Sequence, residues 1–221
     1  MIKIIDNKIY LIDANPEENN IVNNLKNESN YEIIKINNQK RPRILIDMDD
    51  CINNFMNYLC RQYKKQTGKE IKPTDVKDWN IDKYMPGVRS IFTSEGFFES
   101  IPEKRHSIST IKLLIESKKF DVFIITACCT NHELDEKYKW FDKMLPGFNK
   151  ERIIKCQEKE IIRGDVLIDD KIDNLNRCSP YMRCLLFDMP HNQECKEYPR
   201  IKRLKEALPY FEKWFGIKID E

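Results

Sequence analysis

The sequence predicts an α/β fold in which a parallel sheet carries helices on both faces. From Arg43 onward, apolar strand-like runs alternate with helical patterns, which is typical of parallel strands joined by helices. Residues suited to chemistry, Asp47, Thr126 and Asp169, stand at the ends of three of these runs. Ligands bind at the carboxyl ends of the strands in such sheets. We therefore expect a site at that edge.

The elements follow in a regular order along the chain. Residues 1–42 read as two short strands, a helix and a third strand, which predicts a ββαβ extension. The polar QKRP stretch at 39–42 reads as a linker, because proline disfavours helix in the residue before it. The strand-like runs of the main domain, residues 43–221, are RILID, DVFIIT, RIIKC, DVLIDD and RCLLFD.

An insertion of roughly residues 52–105 separates the first two of these runs. Its opening repeats apolar side chains at helical spacing, which predicts a helix that starts near Cys51 and ends at Gly68. The rest of the insertion is rich in aromatic residues. We expect it to form a small helical cap over the strand ends.

The composition limits the partners of the chain. In its 221 residues, 38 Lys and Arg nearly balance 36 Asp and Glu, so no overall field attracts a nucleic-acid polymer or an anionic membrane. The longest uncharged stretch, around residues 122–131, is too short to span a bilayer. We expect neither nucleic acid nor membrane as a partner.

Other chemistries lack their sequence patterns. The eight cysteines show no CxxC pair and no secretory signal opens the chain, so we expect reduced thiols in the cytoplasm. The six glycines form neither a dinucleotide-binding nor a Walker motif, and no cysteine has an arginine six positions on. The scattered histidines are expected in solvated or loop positions; they are His106, His132 and His191.

Paired acids are the strongest chemical signal. Asp47 and Asp49 are two residues apart, so in extended backbone their side chains point the same way. Two converging carboxylates repel, and one pKa rises unless a cation lies between them. A hard divalent cation, most simply Mg²⁺, would answer this need. The alternative is that these acids only cap a turn or helix, and Asp50 could be no more than such a cap.

Further polar residues could belong to the same site, but each also has a simpler structural explanation. Thr126 could cap the turn that follows it, and Lys159 could be solvated surface. Asp169 and Asp170 form a second pair of acids after a second buried strand. This repetition favours a shared site over separate caps.

Together these pieces resemble the haloacid dehalogenase superfamily of phosphatases and, within it, the 5′(3′)-deoxyribonucleotidases. The superfamily motifs are DMDDCINNF at 47–55, IITA at 124–127, Lys159 six residues before Asp165, and GDVLIDDK at 164–171. The subfamily is indicated by DWNI, GFFESIP, EKYKWF and FDMPHN. The resemblance covers residues 43–221 and implies a haloacid-dehalogenase-like Rossmannoid sheet with a small helical cap.

The resemblance also implies catalytic roles. Asp47 would be the nucleophile that attacks phosphorus. Asp49 would be the general acid for the leaving oxygen, and then the base for the water that hydrolyses the aspartyl-phosphate. Thr126, Lys159 and Lys137 would bind the phosphate.

A magnesium ion is implied by the same resemblance. Its ligands would be the side chains of Asp47 and Asp170 and the backbone carbonyl of Asp49. Asp169 would support this shell or orient Lys159. Because adjacent residues on a regular strand point opposite ways, only one of the paired acids should ligate directly. Asp170 is preferred, and an exchange of roles with Asp169 stays open.

For the substrate's base, Phe55 is the preferred stacking partner and Trp79 the second. Phe97 and Phe98 are expected in the core of the cap. The chain departs from the family pattern at Asp50, where many relatives carry glycine, and in the segment after Thr126.

These features predict a Mg²⁺-dependent phosphomonoesterase acting on nucleoside monophosphates, with deoxyribonucleotides favoured. One alternative is the same chemistry on another small phosphate ester, such as a sugar phosphate. The other is a non-catalytic nucleotide-sensing module. Residues 1–42 could extend the sheet, mediate self-association as a homodimer, or pack on the core.

Overall fold

The chain forms two compact units, residues 1–41 and 42–221. The computed structural model describes residues 2–5, 8–12, 32–36 and 41–219. In the first unit, β1 (Ile2–Ile5) pairs antiparallel with β2 (Lys8–Ile12), which pairs in parallel with β3 (Glu32–Ile36). The helix that the sequence predicts between β2 and β3 lies outside the described residues.

The second unit contains a six-stranded sheet in which all neighbouring strands are parallel, in the order β6-β5-β4-β7-β8-β9. This sheet with its helices confirms the predicted α/β fold class. The strands are β4 (Arg43–Asp47), β5 (Asp121–Thr126), β6 (Ile153–Lys155), β7 (Val166–Asp169), β8 (Arg183–Phe187) and β9 (Arg200–Ile201). The helices are α1 (Phe55–Thr67), α2 (Ile81–Tyr84), α3 (Arg89–Phe92), α4 (Ser107–Glu116), α5 (Asn131–Met144), α6 (Ile172–Cys178) and α7 (Leu208–Phe215).

The core lies on both faces of this sheet. Side chains alternate along a strand, so Ile44 and Ile46 of β4 pack in one apolar cluster while Leu45 packs in another. All three are fully buried. Burial on both faces explains why β4 reads as a continuous apolar run, and its acidic end is where this run stops.

The cap begins with α1, and its start corrects one prediction. The helix starts at Phe55 rather than near Cys51. Asp50 adopts a left-handed φ of 60°, and the chain turns back so that Ile52 N–H donates to Met48 O at 2.8 Å. Helical backbone therefore cannot begin until this turn is complete. The prediction for the other end is confirmed, because Gly68 ends the helix with a φ of 74°.

Aromatic side chains fill the interior of the cap. Phe55, Phe97 and Phe98 are buried in one cluster with apolar residues of α1 and α3. The turn at 96–98 is fastened to α5, because the Glu136 carboxylate accepts the backbone N–H groups of Gly96 and Phe98. None of the helices in the described part of the chain has the length and apolarity that a membrane-spanning segment needs.

Candidate active site

The carboxyl ends of three adjacent strands bring the predicted site residues together. Asp47 ends β4 opposite Ile125 of β5, the residue before Thr126. On the other side, β7 pairs with β4 up to Ile46 and ends at Asp169. Parallel strands present their carboxyl ends at one edge, so residues far apart in sequence meet here.

Lys159 joins two of these strand ends. Its Nζ donates to Asp47 Oδ1, and to Asp169 Oδ2 at 2.6 Å, and all three residues are buried. Burial alone would lower the pKa of Lys159, but the carboxylates of Asp169 and Asp47 outweigh it and raise that pKa. An ammonium has three N–H donors. Among the described residues Lys159 uses two of them on carboxylates, which leaves one for a ligand.

Lys137 makes the matching contacts on the β5 side. Its Nζ lies 2.6 Å from both Asp49 Oδ2 and Thr126 Oγ1, and 3.1 Å from Ala127 O. Burial would lower the pKa of Lys137, but the Asp49 carboxylate raises it. The ring of Phe98 lies 4.6 Å from Nζ, which adds a cation–π contact. Asp49 is the more open member of this group, with 22% of its side chain exposed.

Asp169 and Asp170 have different surroundings. Besides Lys159, Asp169 accepts hydrogen bonds from Lys171 N–H at 2.8 Å and Asn174 Nδ2 at 3.0 Å. Asp170 Oδ2 is buried and accepts no hydrogen bond within the described residues. The carboxylate of Asp169 is thus fully hydrogen-bonded by protein donors, whereas Oδ2 of Asp170 remains available as an acceptor.

His191 lies in the short turn Pro190–Asn192, which agrees with the predicted loop position, but it is not solvated, because only 4% of its side chain is exposed. Its Nε2 lies 3.2 Å from Asp170 O and 3.3 Å from Asp170 Oδ2. One N–H cannot serve both atoms well, and the backbone oxygen takes the hydrogen bond. Asn192 Nδ2 also donates to Asp170 O, at 2.8 Å.

Acids outnumber cationic side chains at this edge. Burial raises the pKa of Asp47 well above its usual range; Lys159 opposes that rise, and Asp169 adds to it. Burial likewise raises the pKa of Asp170, opposed by the neighbouring His191. The five acids of the cluster are Asp47, Asp49, Asp50, Asp169 and Asp170, and the cationic partners are Lys104, Lys137, Lys159 and, when protonated, His191.

Asp50 is part of this imbalance. Its carboxylate is fully buried and accepts the Met56 N–H at 3.1 and 3.2 Å, so it does cap α1, from outside the helix. Lys104 Nζ lies 3.7 Å from Asp50 Oδ1 and donates to its backbone oxygen. Burial, only partly offset by Lys104, raises the pKa of Asp50 to about 7.

The residues present fit a divalent cation. Asp47, Cys51 and Asp170 place one ligand atom each within 4.8 Å of one another, and all three are buried. The oxygen donors of Asp47 and Asp170 are of the hard type that Mg²⁺ prefers. A cation here would engage Asp170 Oδ2, which accepts no hydrogen bond within the described residues. Burial raises the pKa of the Cys51 thiol, and the nearby Asp170 adds to this rise.

A cavity of about 510 Å³ opens above these acids. It is lined by Asp47, Asp49, Lys159 and Asp170 below and by Phe55, Trp79 and Phe98 on the cap side. The rings of Phe55 and Phe98 stack with centroids 6.0 Å apart. Phe97 is buried in the cap, as expected; Phe98 is buried too but also reaches the cavity wall.

Trp79 forms the open lip of this cavity. Its side chain is 37% exposed, and its ring lies 4.7 Å from that of His191 between centroids. Lys171 Nζ lies 5.8 Å from the Trp79 ring centroid. Trp79 therefore connects the cap to the histidine beside Asp170.

Sequence reasoning missed several residues of the site. Lys104 lies two residues after the GFFESIP motif and His191 lies within FDMPHN, but nothing local shows which acid each contacts. Glu133 lines the cavity, and its buried Oε1 has no hydrogen-bond partner among the described residues. Its spacing from Thr130, whose hydroxyl accepts the Glu133 N–H at 3.1 Å, is that of an ordinary helix cap. That pattern hides any second role.

Residues 41–211 match the model of the family described as 5′ nucleotidase, deoxy (Pyrimidine), cytosolic type C protein. The chain belongs to this family. It is 27% identical over 167 residues to the 5′(3′)-deoxyribonucleotidase of Bacillus subtilis (strain 168), which covers 74% of this chain and 94% of that protein. It is 24% identical over 173 residues to the 5′(3′)-deoxyribonucleotidase of Clostridium acetobutylicum. This match covers 76% of this chain and 93% of that protein.

Solved structures show the same fold for this member of the type C 5′ nucleotidase family. A haloacid dehalogenase family hydrolase from Deinococcus radiodurans R1, solved with bound phosphate and sodium, superposes with a TM-score of 0.52 at 10% identity, covering 78% of this chain and 95% of that one. A haloacid dehalogenase-like hydrolase from Burkholderia xenovorans LB400 superposes with a TM-score of 0.51 at 11% identity. The match covers 78% of this chain and 97% of that one. The predicted resemblance to the 5′(3′)-deoxyribonucleotidases is confirmed, the chain is a phosphatase of this family, and its fold is the one seen in the haloacid dehalogenase-like hydrolases.

Proposed function

We propose that the chain is a Mg²⁺-dependent phosphomonoesterase that hydrolyses nucleoside monophosphates, deoxyribonucleotides by preference, through an aspartyl-phosphate on Asp47. One observation carries the proposal. A buried carboxylate, Asp47, is bridged by Lys159 to Asp169 at the floor of a cavity with aromatic walls. The relatives named 5′(3′)-deoxyribonucleotidase support the substrate class.

Asp47 has the position of the nucleophile. Its carboxylate lines the cavity floor, and Lys159 fixes one oxygen, Oδ1. The other oxygen can then face an incoming phosphorus. Attack forms a bond between this oxygen and phosphorus and breaks the bond from phosphorus to the nucleoside oxygen.

Asp49 is suited to handling the proton. It also lines the cavity and is more exposed than Asp47, so both a leaving oxygen and a water can reach it. As general acid it would give a proton to the leaving oxygen, and as base it would take one from the water that hydrolyses the aspartyl-phosphate. Asn53 Nδ2 donates to Asp49 Oδ1 at 2.9 Å and holds it in place.

Positive groups are placed for the phosphate. Lys159 retains one N–H donor, and Lys137 holds the Thr126 hydroxyl beside Asp49. Charge-assisted donors of this kind stabilise phosphoryl oxygens as negative charge shifts in the transition state. Lys137, Lys159 and Thr126 are therefore assigned to phosphate binding.

The metal would be held by Asp47, Asp170 and the backbone carbonyl of Asp49, with Asp169 as the outer carboxylate that orients Lys159. The saturated hydrogen bonds of Asp169 and the unpartnered oxygen of Asp170 support this division. When bound, Mg²⁺ supplies electrostatic stabilisation of the phosphoryl oxygens and offsets the acids around it.

The nucleoside would enter the upper cavity. A volume of about 510 Å³ is within the usual range for small-molecule sites. Phe55 and Trp79 offer aromatic faces on which a base can stack. The catalytic work is assigned to residues 43–221 with a cap at about 52–105. Residues 1–42 and the homodimer they could form stay predictions that solution mass, with and without this segment, would check.

A cytoplasmic location is part of the proposal. All eight cysteines are free thiols, which is the usual state in a reducing compartment.

The direct test is a substrate panel with added Mg²⁺. We expect release of phosphate from dUMP and dTMP to be faster, in kcat/KM, than from a sugar phosphate such as glucose 6-phosphate. Faster hydrolysis of the sugar phosphate would favour the alternative ester. Binding of dUMP without any turnover would favour the non-catalytic sensing module.

A further inference from the structure

Cys51 places a thiol inside the acidic cluster at the end of β4. Its Sγ and one carboxylate oxygen each of Asp47 and Asp170 lie within 4.8 Å of one another. An ion about 2.0–2.3 Å from each ligand atom needs those atoms within roughly 4.6 Å of one another. Shifts of a few tenths of an ångström would therefore let all three ligate one cation.

A second observation, independent of the thiol, also points to a cation. Asp170 is 1% exposed, and its Oδ2 accepts no hydrogen bond within the described residues, although His191 Nε2 lies 3.3 Å away. A buried carboxylate oxygen without a donor is costly. Bonding to a metal ion removes that cost.

The thiol changes which ion such a site prefers. Mg²⁺ takes oxygen ligands and keeps several waters. A thiolate favours softer ions, and mixed sulfur and oxygen donors suit Zn²⁺. An all-oxygen version of this cluster would have a weaker preference for zinc. The difference depends on the one side chain of Cys51.

We propose that Asp47, Cys51 and Asp170 form a thiolate-containing site that binds Zn²⁺ in preference to Mg²⁺. Binding forms a bond between Cys51 Sγ and zinc, and the thiol proton leaves to solvent. No oxidation state changes.

Zinc in this site inhibits the enzyme. It takes a carboxylate oxygen of Asp47, the residue assigned as nucleophile, and occupies the region assigned to Mg²⁺. This consequence rests on the proposed function, whereas zinc binding itself does not.

The test uses the full chain, stripped of metal with a chelator and titrated with Co²⁺ alone, without substrate. Cobalt bound to a thiolate gives a sulfur-to-metal charge-transfer band in the near ultraviolet, and Zn²⁺ added afterwards should remove it. We expect the band in the wild type and its loss in Cys51→Val. Two matched controls should keep it: Cys178→Ala removes a buried core thiol, and Cys129→Ser removes the exposed thiol that lines the cavity.

Affinity gives a second measure. Competition with a chromophoric chelator should show that Cys51→Val lowers the ratio of Zn²⁺ to Mg²⁺ affinity by at least about tenfold, since even residues outside the metal ligands contribute 10–100-fold. An unchanged ratio would overturn the proposal. A band that persists in Cys51→Val, or is absent from the wild type, would do the same.

Should Cys51→Val fold poorly, a measurement on the wild type still decides. X-ray absorption of the zinc-loaded chain is expected to show a sulfur neighbour at about 2.3 Å. A shell of oxygen and nitrogen only would refute the thiolate ligand. Failure of the proposed function is seen separately, as absence of dUMP hydrolysis by the wild type with Mg²⁺ and no zinc.

Discussion

The two ends of the parallel sheet both carry aspartates, but they balance them differently. At the amino end, Asp121 pairs with Arg152 at 2.9 Å, and Asp165 accepts the Arg43 backbone N–H at 2.6 Å. At the carboxyl end, Lys159 is shared between Asp47 and Asp169, and Asp170 keeps an oxygen with no hydrogen-bond donor within the described residues.

This contrast distinguishes charges that hold strands together from charges that hold a ligand. Matched pairs near the surface contribute little beyond local order. Buried acids in excess are costly to the folded chain unless a cation joins them. The same residue type therefore has a structural role at one end and a proposed chemical role at the other.

The largest expected effect comes from neutralising one aspartate at each end. Asp47→Asn should lower dUMP hydrolysis on the order of 10⁴-fold or more, because it removes the proposed nucleophile. Asp121→Asn, on the other end of the neighbouring strand, should stay within about twofold. Steady-state kcat with Mg²⁺ is the measurement. Equal losses of kcat in the two variants would contradict the proposed difference between the two ends of the sheet.

The second effect concerns the shared lysine. Lys159→Met should reduce kcat by about 10²–10³-fold, the usual cost of losing one donor to a developing charge. Arg152→Met, which breaks the amino-end pair, is the matched control and should change thermal stability more than kcat. A Lys159→Met enzyme with near-normal kcat would contradict its assignment to the phosphate.

The third prediction uses the raised pKa of Asp50. A carboxyl whose pKa is about 7 when folded, against about 3.9 in an unfolded chain, loses its stabilising contribution as pH rises between these values. Asp50→Asn stays neutral, so its free energy of unfolding relative to the wild type should rise between pH 5 and 8. The expected rise is on the order of 2–3 kcal/mol.

Urea unfolding in the presence of a chelator measures this difference. Lys104→Met provides a companion, because Lys104 opposes the rise in the Asp50 pKa, and its removal should make the pH dependence steeper. A gain from Asp50→Asn that is the same at both pH values would show that Asp50 is already ionised in the folded chain at pH 5, and so that its pKa is not raised.

An effect of similar size is stabilisation by the metal itself. At 100 times its dissociation constant, Mg²⁺ should add about 2.7 kcal/mol to the free energy of unfolding. Asp170→Asn should remove most of that gain, whereas Asp165→Asn at the amino end should keep it. Thermal melts with and without Mg²⁺ provide the comparison. A full response in Asp170→Asn would place the ion elsewhere.

Much of this architecture could be predicted from local patterns. The buried strands ending in acids predicted both the α/β fold and the edge at which Asp47, Thr126 and Asp169 meet. The start of α1 could not be predicted from such patterns, because it depends on the left-handed backbone of Asp50 and its contact with Met56. The contacts of His191 and Lys104 could not be predicted for a similar reason, because their partners lie 21 and 54 residues away in the sequence.

Helix α5 carries two neighbours with unlike duties. Glu136 ties down the cap turn at Gly96 and Phe98, while Lys137, the next residue, reaches Asp49 and Thr126. A displacement of that turn would therefore be transmitted through Glu136 to the ammonium of Lys137, the next residue of the helix. Substitution of Glu136 would therefore impair the phosphate binding proposed for Lys137, although the Glu136 carboxylate contacts the cap turn and His132 rather than the phosphate.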